Sequence, residues 1–228
     1  PSGVWWPVLP GSVAVLGGLV GGLAASWATE GRQRRFLKQA FRHYLSPHVV
    51  ERLLEDPDRL KLGGERRELT IMFSDLAGFT SLSEGLDPEE LTALLNEYLT
   101  LMTDIILDEG GTLDKYEGDA IVAFWNAPLD QPDHAERACR AAVRCQRALA
   151  ENRPRWRERC GRDLTMRVGL HTGEVVVGNL GSRQRFDYSI LGDAANLAAR
   201  LEGVNKVFGT GSLVSAETMQ RAAGAVLG

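Results

Sequence analysis

An α+β domain in the order β-α-β-β-α-β is what residues 65 to 228 predict, preceded by an apolar helix and a helical linker. Three observations carry that expectation. Short apolar runs bounded by Gly, Pro and Asp alternate with long segments of helical period. Two of the helical segments open on acidic starts, Asp87-Pro88-Glu89-Glu90 and Asp133. A tight turn, Glu117-Gly118-Asp119, joins two of the short runs as a hairpin.

The chain in order begins with an uncharged stretch, Pro1 to Thr29. Val8 to Trp27 is apolar or small throughout, about the 20 positions a bilayer-spanning helix needs. Trp5, Trp6 and Trp27 flank it where an aromatic belt belongs, and Arg32, Arg34, Arg35 and Lys38 follow. Residues 1–30 therefore read as a transmembrane helix with the lipid bilayer as partner. The expected location is the cell membrane, with the rest of the chain on the cytoplasmic side. A signal peptide is the rival reading, but the basic n-region is missing; a buried Gly-rich core helix is the other. Gly17-Gly18 and Gly21-Gly22 repeat at a spacing that lets membrane helices associate closely, although Gly is also simply frequent in such helices. With proline as its first residue, the sequence is expected to be a fragment of something longer.

Residues 31–64 read as a helical transmission linker. Phe36, Leu37, Ala40, Phe41, Tyr44 and Leu45 form an apolar stripe at helical spacing, and Ser46-Pro47 restarts a helix that Asp56-Pro57 ends. Leu62-Gly63-Gly64 leads into the domain. A strand over 69–73 is followed by a helix over 88–109 ending at Gly110-Gly111. The hairpin follows, about 112–116 and 120–125. A long Ala- and Arg-rich helix from Asp133 should falter near Pro154. A second hairpin is expected, Leu164 to Leu170 with Val175 to Val177, turning at Thr172-Gly173. A last clear helix runs from about Ala194 to Glu202. This is the ferredoxin-like order, with two helices over one sheet face and the other face free for a partner.

Net charge is only −4, so no nucleic-acid partner is expected. Cys139, Cys145 and Cys160 are odd in number, form no C-x-x-C and share one helical region, which reads as reduced thiols. His43, His48, His134 and His171 show no ligand spacing.

The chemistry-bearing residues sit at strand ends. Asp75 follows the first apolar strand and Asp119 precedes a later one. Two such carboxylates can share a hard cation such as Mg²⁺, although Asp is also an ordinary turn former. The small-residue turn Ala77-Gly78-Phe79-Thr80 can offer backbone N–H groups to phosphate oxygens. Asn196 and Arg200, at i and i+4, face the same way; most such pairs are solvated helix faces.

FSDLAGFT, LDKYEGDAIVAFW, GLHTGEVVVGNLG and YSILGDAANLAARLE, in that order over roughly residues 65 to 222, resemble the catalytic domain of class III nucleotidyl cyclases. The resemblance implies a membrane-anchored bacterial type with a sensor upstream, working as a homodimer with sites at the interface. It implies that Asp75 and Asp119, with the Leu76 backbone carbonyl, bind two Mg²⁺ or Mn²⁺ ions per site. Arg200 would stabilise charge on the α-phosphoryl group, Asn196 would orient the ribose, and Lys115 and Ser189 would read the base. Lys115 is the adenine-type residue, where a guanine-reading relative usually carries Glu, so ATP is the expected substrate and cyclic AMP the product. Ser189 departs from the more familiar Asp or Thr. A final strand with a triphosphate-binding lysine is also implied; the sequence stops at Gly228 after Ala-rich residues, which reads either as a fragment cut short or as a missing contact. A guanylyl cyclase and a weakly catalytic nucleotide-binding signalling module are the alternatives. A diguanylate cyclase is disfavoured, because its GG(D/E)EF loop is absent.

Overall fold

The computed structural model describes residues 64–79, 82, 85–182 and 186–222. β1 (Gly64–Leu76) leads to α1 (Pro88–Asp108), then to β2 (Thr112–Glu117) and β3 (Ala120–Trp125). α2 (His134–Cys160), β4 (Met166–Gly181), β5 (Phe186–Leu191), α3 (Asp193–Phe208), β6 (Ser212–Val214) and α4 (Ala216–Arg221) follow. The first six elements keep the expected β-α-β-β-α-β order. They build an α+β fold around one mixed sheet, ordered β2-β3-β1-β4-β5, with β6 parallel to β4.

α1 and α2 close one face of the sheet. α1 starts where Asp87 accepts a hydrogen bond from the Glu89 N–H at 2.9 Å, with Pro88 at the first helical position. It buries Leu94, Tyr98, Met102, Ile105 and Ile106 on one stripe. These pack with Met72, Ile121, Trp125, Val168 and Leu170 of the sheet into the main core. Each such side chain contributes roughly 1.5–3 kcal/mol by leaving water.

The opposite face is not wholly free, contrary to the expectation from sequence. Val168 and Leu170 point into the helical core, so Gly169 between them faces the other way, and α3 lies against it. A Cβ at Gly169 would sit 2.3 Å from the Ala198 carbonyl oxygen and 2.3 Å from the Glu202 nitrogen. Only glycine admits that approach.

Two expectations are corrected. The second hairpin does not exist: β4 runs unbroken through Thr172-Gly173 and pairs with β1 from Gly64↔Gly178 to Leu76↔Met166. Gly173 serves close packing rather than a turn, since a Cβ there would meet the Ala194 Cβ at 2.9 Å. Nor does α2 falter at Pro154. It continues to Cys160 and ends at Gly161, in the left-handed region at φ 72°. Pro154 removes one helical hydrogen bond, a cost of about 3 kcal/mol. Trp156 outweighs it: the ring is fully buried, edge-on to Tyr98, and its N–H donates to Glu97 Oε1 at 2.8 Å. β1 and α3 are also longer than expected.

The membrane assignment is corrected too. Among the described residues no helix is long and apolar enough to cross a bilayer. The long helices carry polar faces throughout; α2 alone spaces eight arginines along its length. The expected span over residues 8–27, the linker helices and Thr80 lie outside the described residues. A transmembrane helix, a bilayer partner and a cell-membrane location therefore have no support here. The three cysteines are unpaired, and burial pushes the thiols of Cys139 and Cys145 up to about 11 and about 12.

Candidate active site

Two features converge on the hairpin and the end of β1. The first is the carboxylate pair. Antiparallel pairing of β1 with β3, ending at Ser74↔Ile121, carries the Gly118-Asp119 turn to the end of β1. Gly118, at φ 67°, makes that turn tight. Asp119 Oδ2 then accepts from the Leu76 N–H at 3.0 Å, so the Leu76 peptide lies beside the pair. Burial, together with a hydrogen bond to Asp75 and the charge on it, pushes the Asp119 carboxyl up to about 6. Two carboxylates confined in this way are an oxygen-only donor set that calls for positive charge.

Part of that charge comes from Arg167, a residue the sequence motifs do not single out. It lies directly across the ladder from Asp75 and ion-pairs with Asp75 Oδ2, while its Nε donates to Glu202 Oε1 of α3 at 2.7 Å. Among the described residues no group of three or more His, Cys, Asp or Glu could hold a metal. A cation bound by Asp75 and Asp119 must complete its shell with carbonyl, water or substrate oxygens, which suits Mg²⁺ or Mn²⁺.

The turn after Asp75 is only partly available to a phosphate. The Ala77 N–H is engaged by the Thr165 carbonyl at 2.8 Å. A cradle there rests on Gly78, exposed at φ 78°, and on Phe79, which packs against the core. Thr80 lies outside the described residues.

The second feature is a cavity of about 420 Å³ on the sheet face opposite α1 and α2, lined by Phe73, Asp114, Lys115, Val122 and Asn196 among others. It gathers Lys115 and Asn196 from elements far apart in sequence. Lys115 is half exposed, its Nζ 4.0 Å from Asp114 Oδ2 and 3.9 Å from Glu117 Oε1. Ser189, buried on β5, does not line this cavity; the buried carboxylate that does is Asp114. Burial holds that carboxyl above the usual range, and the Ser189 hydroxyl and Lys115 ammonium oppose the rise. Arg200 stands one turn beyond Asn196, exposed and outside this cavity, as do Asp75 and Asp119. Among the described residues Arg200 forms no ion pair.

With this geometry in hand, the comparison with known proteins is direct. Residues 64–221 match the family described as the adenylate and guanylate cyclase catalytic domain. The chain belongs to this family. It is 38% identical over 175 residues to adenylate cyclase 1 of Rhizobium meliloti (strain 1021), covering 77% of this chain and 26% of that protein. It is 33% identical over 186 residues to an adenylate cyclase of Anabaena cylindrica, covering 79% of this chain and 35% of that one. The chain thus spans about a quarter to a third of these curated relatives. Among solved cyclases, the adenylyl cyclase CyaB from P. aeruginosa superposes with a TM-score of 0.66 at 40% identity, over 70% of this chain and 82% of that one. A guanylyl cyclase crystal structure superposes equally well, with a TM-score of 0.66 at 43% identity over 71% and 81%. Similarity of this cyclase fold therefore leaves the choice of base to individual residues.

Proposed function

We infer that the chain converts ATP to 3′,5′-cyclic AMP and pyrophosphate, as an adenylyl cyclase whose sites are shared across a homodimer. The observation that carries this reading is the Asp75–Asp119 pair, two carboxylates pressed together at a strand end with a nucleotide-sized cavity on the same hairpin. Two Mg²⁺ or Mn²⁺ ions held there, with the Leu76 carbonyl, would make the ribose 3′-hydroxyl more acidic and neutralise the departing pyrophosphate. The chain's own groups then have distinct tasks. Lys115 donates to adenine N1, and Ser189 accepts from the exocyclic amine. Asn196 orients the ribose, and Arg200 stabilises charge developing on the α-phosphoryl group. The Ala77–Thr80 turn faces the phosphates, chiefly through Gly78 and Phe79.

The shared site is supported by what the cavity leaves out. Asp75 and Asp119 do not line it, whereas Arg200 stands one turn beyond Asn196 on the same helix, so in this reading a nucleotide seated against Lys115, Asn196 and Arg200 of one chain takes its metal carboxylates from another. A guanylyl cyclase is the second reading, favoured by the 43% identity to a solved guanylyl cyclase and opposed by Lys115.

The test is product identification after incubating the chain with ATP or GTP and Mg²⁺ or Mn²⁺. Asp75→Ala and Arg200→Ala should each abolish turnover. Mixed one to one, they should recover about a quarter of wild-type activity, because half of the dimers rebuild one of two sites. Folded, dimeric mixtures without recovery would refute the shared site.

A further inference from the structure

We propose that Arg167 is the resident counter-cation of the Asp75 carboxylate, held there by Glu202 of α3, and that it lowers the affinity of the nucleotide-free chain for a divalent cation. The inference rests on Asp75 and Asp119 being the metal carboxylates.

The arrangement follows from strand register. Arg167 is the direct partner of Asp75 in the β1–β4 ladder, next to the terminal pair Leu76↔Met166. Directly opposed residues stand on the same face of a sheet, close enough for their side chains to pair. That face is the one Gly169 presents to α3, because Arg167 and Gly169 are two residues apart on β4. Arg167 thus lies beneath α3 with a carboxylate on each side. Its Nη2 ion-pairs with Asp75 Oδ2, and its Nε donates to Glu202 Oε1 at 2.7 Å. The side chains of Arg167, Asp75 and Glu202 are 20%, 28% and 17% exposed, so solvent screens this charge cluster only in part.

A guanidinium suits the position. Its planar fork joins two carboxylates from different elements, a geometry that the single ammonium of lysine does not match, and it stays charged at any working pH. The second grip matters as much as the first. Held by Asp75 alone, the arginine would be free to swing away as a cation approached. Glu202 ties it to α3, which the close approach at Gly169 fixes against β4. The positive charge therefore stays beside Asp75.

Two consequences follow. The partly buried carboxylate is compensated without a metal, which limits the cost of its desolvation. A divalent cation approaching Asp75 meets a like charge already on one of the two carboxylate oxygens. It must share that carboxylate against repulsion or displace the arginine, and both reduce affinity. Arg167 acts here through Asp75 and is a positioning residue.

The experiment uses the full chain, stripped of metal and nucleotide, as wild type, Arg167→Gln, Arg167→Met, Arg167→Lys and Asp75→Asn. Mn²⁺ binding is read from loss of the free-ion electron paramagnetic resonance signal, and thermal unfolding is followed with and without Mn²⁺. Arg167→Gln removes the charge and should tighten Mn²⁺ binding about tenfold. Arg167→Met should do the same and serves if the Gln variant folds poorly. Both should melt below wild type without Mn²⁺ and gain more than wild type when it is added. Arg167→Lys keeps a charge without the fork, and should fall between wild type and Arg167→Gln. Asp75→Asn should bind Mn²⁺ more weakly than wild type. If it does, while neither neutral Arg167 variant binds more tightly than wild type, the proposal is overturned and the metal reading stands. Equal tightening by Arg167→Lys and Arg167→Gln would also overturn it, since charge would not be the cause. Unaltered Mn²⁺ binding in Asp75→Asn would overturn the metal reading beneath it.

Discussion

In the proposed reading, Lys115 is the residue on which substrate choice turns. Its ammonium, half exposed and loosely held between Asp114 and Glu117, is free to donate into the cavity. Lys115→Glu replaces that donor with an acceptor. Losing one hydrogen bond to a buried base costs about 1–3 kcal/mol, so ATP turnover should fall roughly ten- to a hundredfold, and GTP turnover far less. Steady-state kcat/KM on both nucleotides checks this, and an unchanged ATP:GTP ratio would contradict it. The residues legible in the sequence are those whose chemistry is local: Asp75 and Asp119 close apolar strands, and Asn196 and Arg200 share a helix face. Arg167 and Asp114 are not legible there. Arg167 meets Asp75 only through the β1–β4 register, across 92 positions of sequence. Asp114 reaches the cavity only because β2 bulges, and nothing in Leu113-Asp114-Lys115 announces a bulge.

At the scale of elements, α3 carries Asn196 and Arg200, and two glycines of β4 set its position. Gly169 admits the α3 backbone and Gly173 admits Ala194. Gly169→Ala forces helix backbone to move, which should cost about 1–3 kcal/mol and shift both side chains out of register. Both the urea midpoint and kcat should drop. Gly161→Ala is the informative contrast, since its added Cβ meets nothing within 4 Å and only the left-handed conformation at φ 72° is penalised. It should cost about 1–2 kcal/mol and leave kcat intact. Equal effects of the two variants on kcat would count against this account. The same glycines explain a misreading. Thr172-Gly173 has turn composition, but Thr172 pairs with Thr70 inside the sheet and Gly173 serves packing, a role that composition alone does not distinguish from a turn. Pro154 is the parallel case in α2, where Trp156, Tyr98 and Glu97 override a local helix breaker. The β-α-β-β-α-β order is legible because hydrophobic period and caps are local signals.

Across the whole domain, a chain of hydroxyls links two histidines through β1, β4 and α4 with its N-cap. His134 Nδ1 meets Thr70 Oγ1 at 2.7 Å, Thr70 meets Thr172 at 2.8 Å, and Thr172 meets Thr218 at 2.9 Å. Thr218 meets Ser215 at 3.2 Å, and Ser215 meets His171 Nδ1 at 2.9 Å. Burial holds both imidazoles below their ordinary pKa. Glu68 opposes the shift at His134 while Arg221 reinforces it, and Glu217 opposes it at His171. Both rings are therefore neutral in the folded state at pH values where the unfolded chain already binds protons. That stability is complete above the unfolded pKa of about 6.5, and is lost as pH falls from there towards the folded values. Asp119 works in the opposite sense, because its raised carboxyl takes up a proton in the folded state first and gains stability as pH falls through about 6. The two are separated by a difference measurement. Urea midpoints for wild type and His134→Gln, taken between about pH 7.5 and 5.5, should show a steeper loss in wild type, since the variant lacks one of the two depressed imidazoles. Parallel curves would mean that His134 titrates alike in folded and unfolded chains and that its burial against Thr70 imposes no proton penalty.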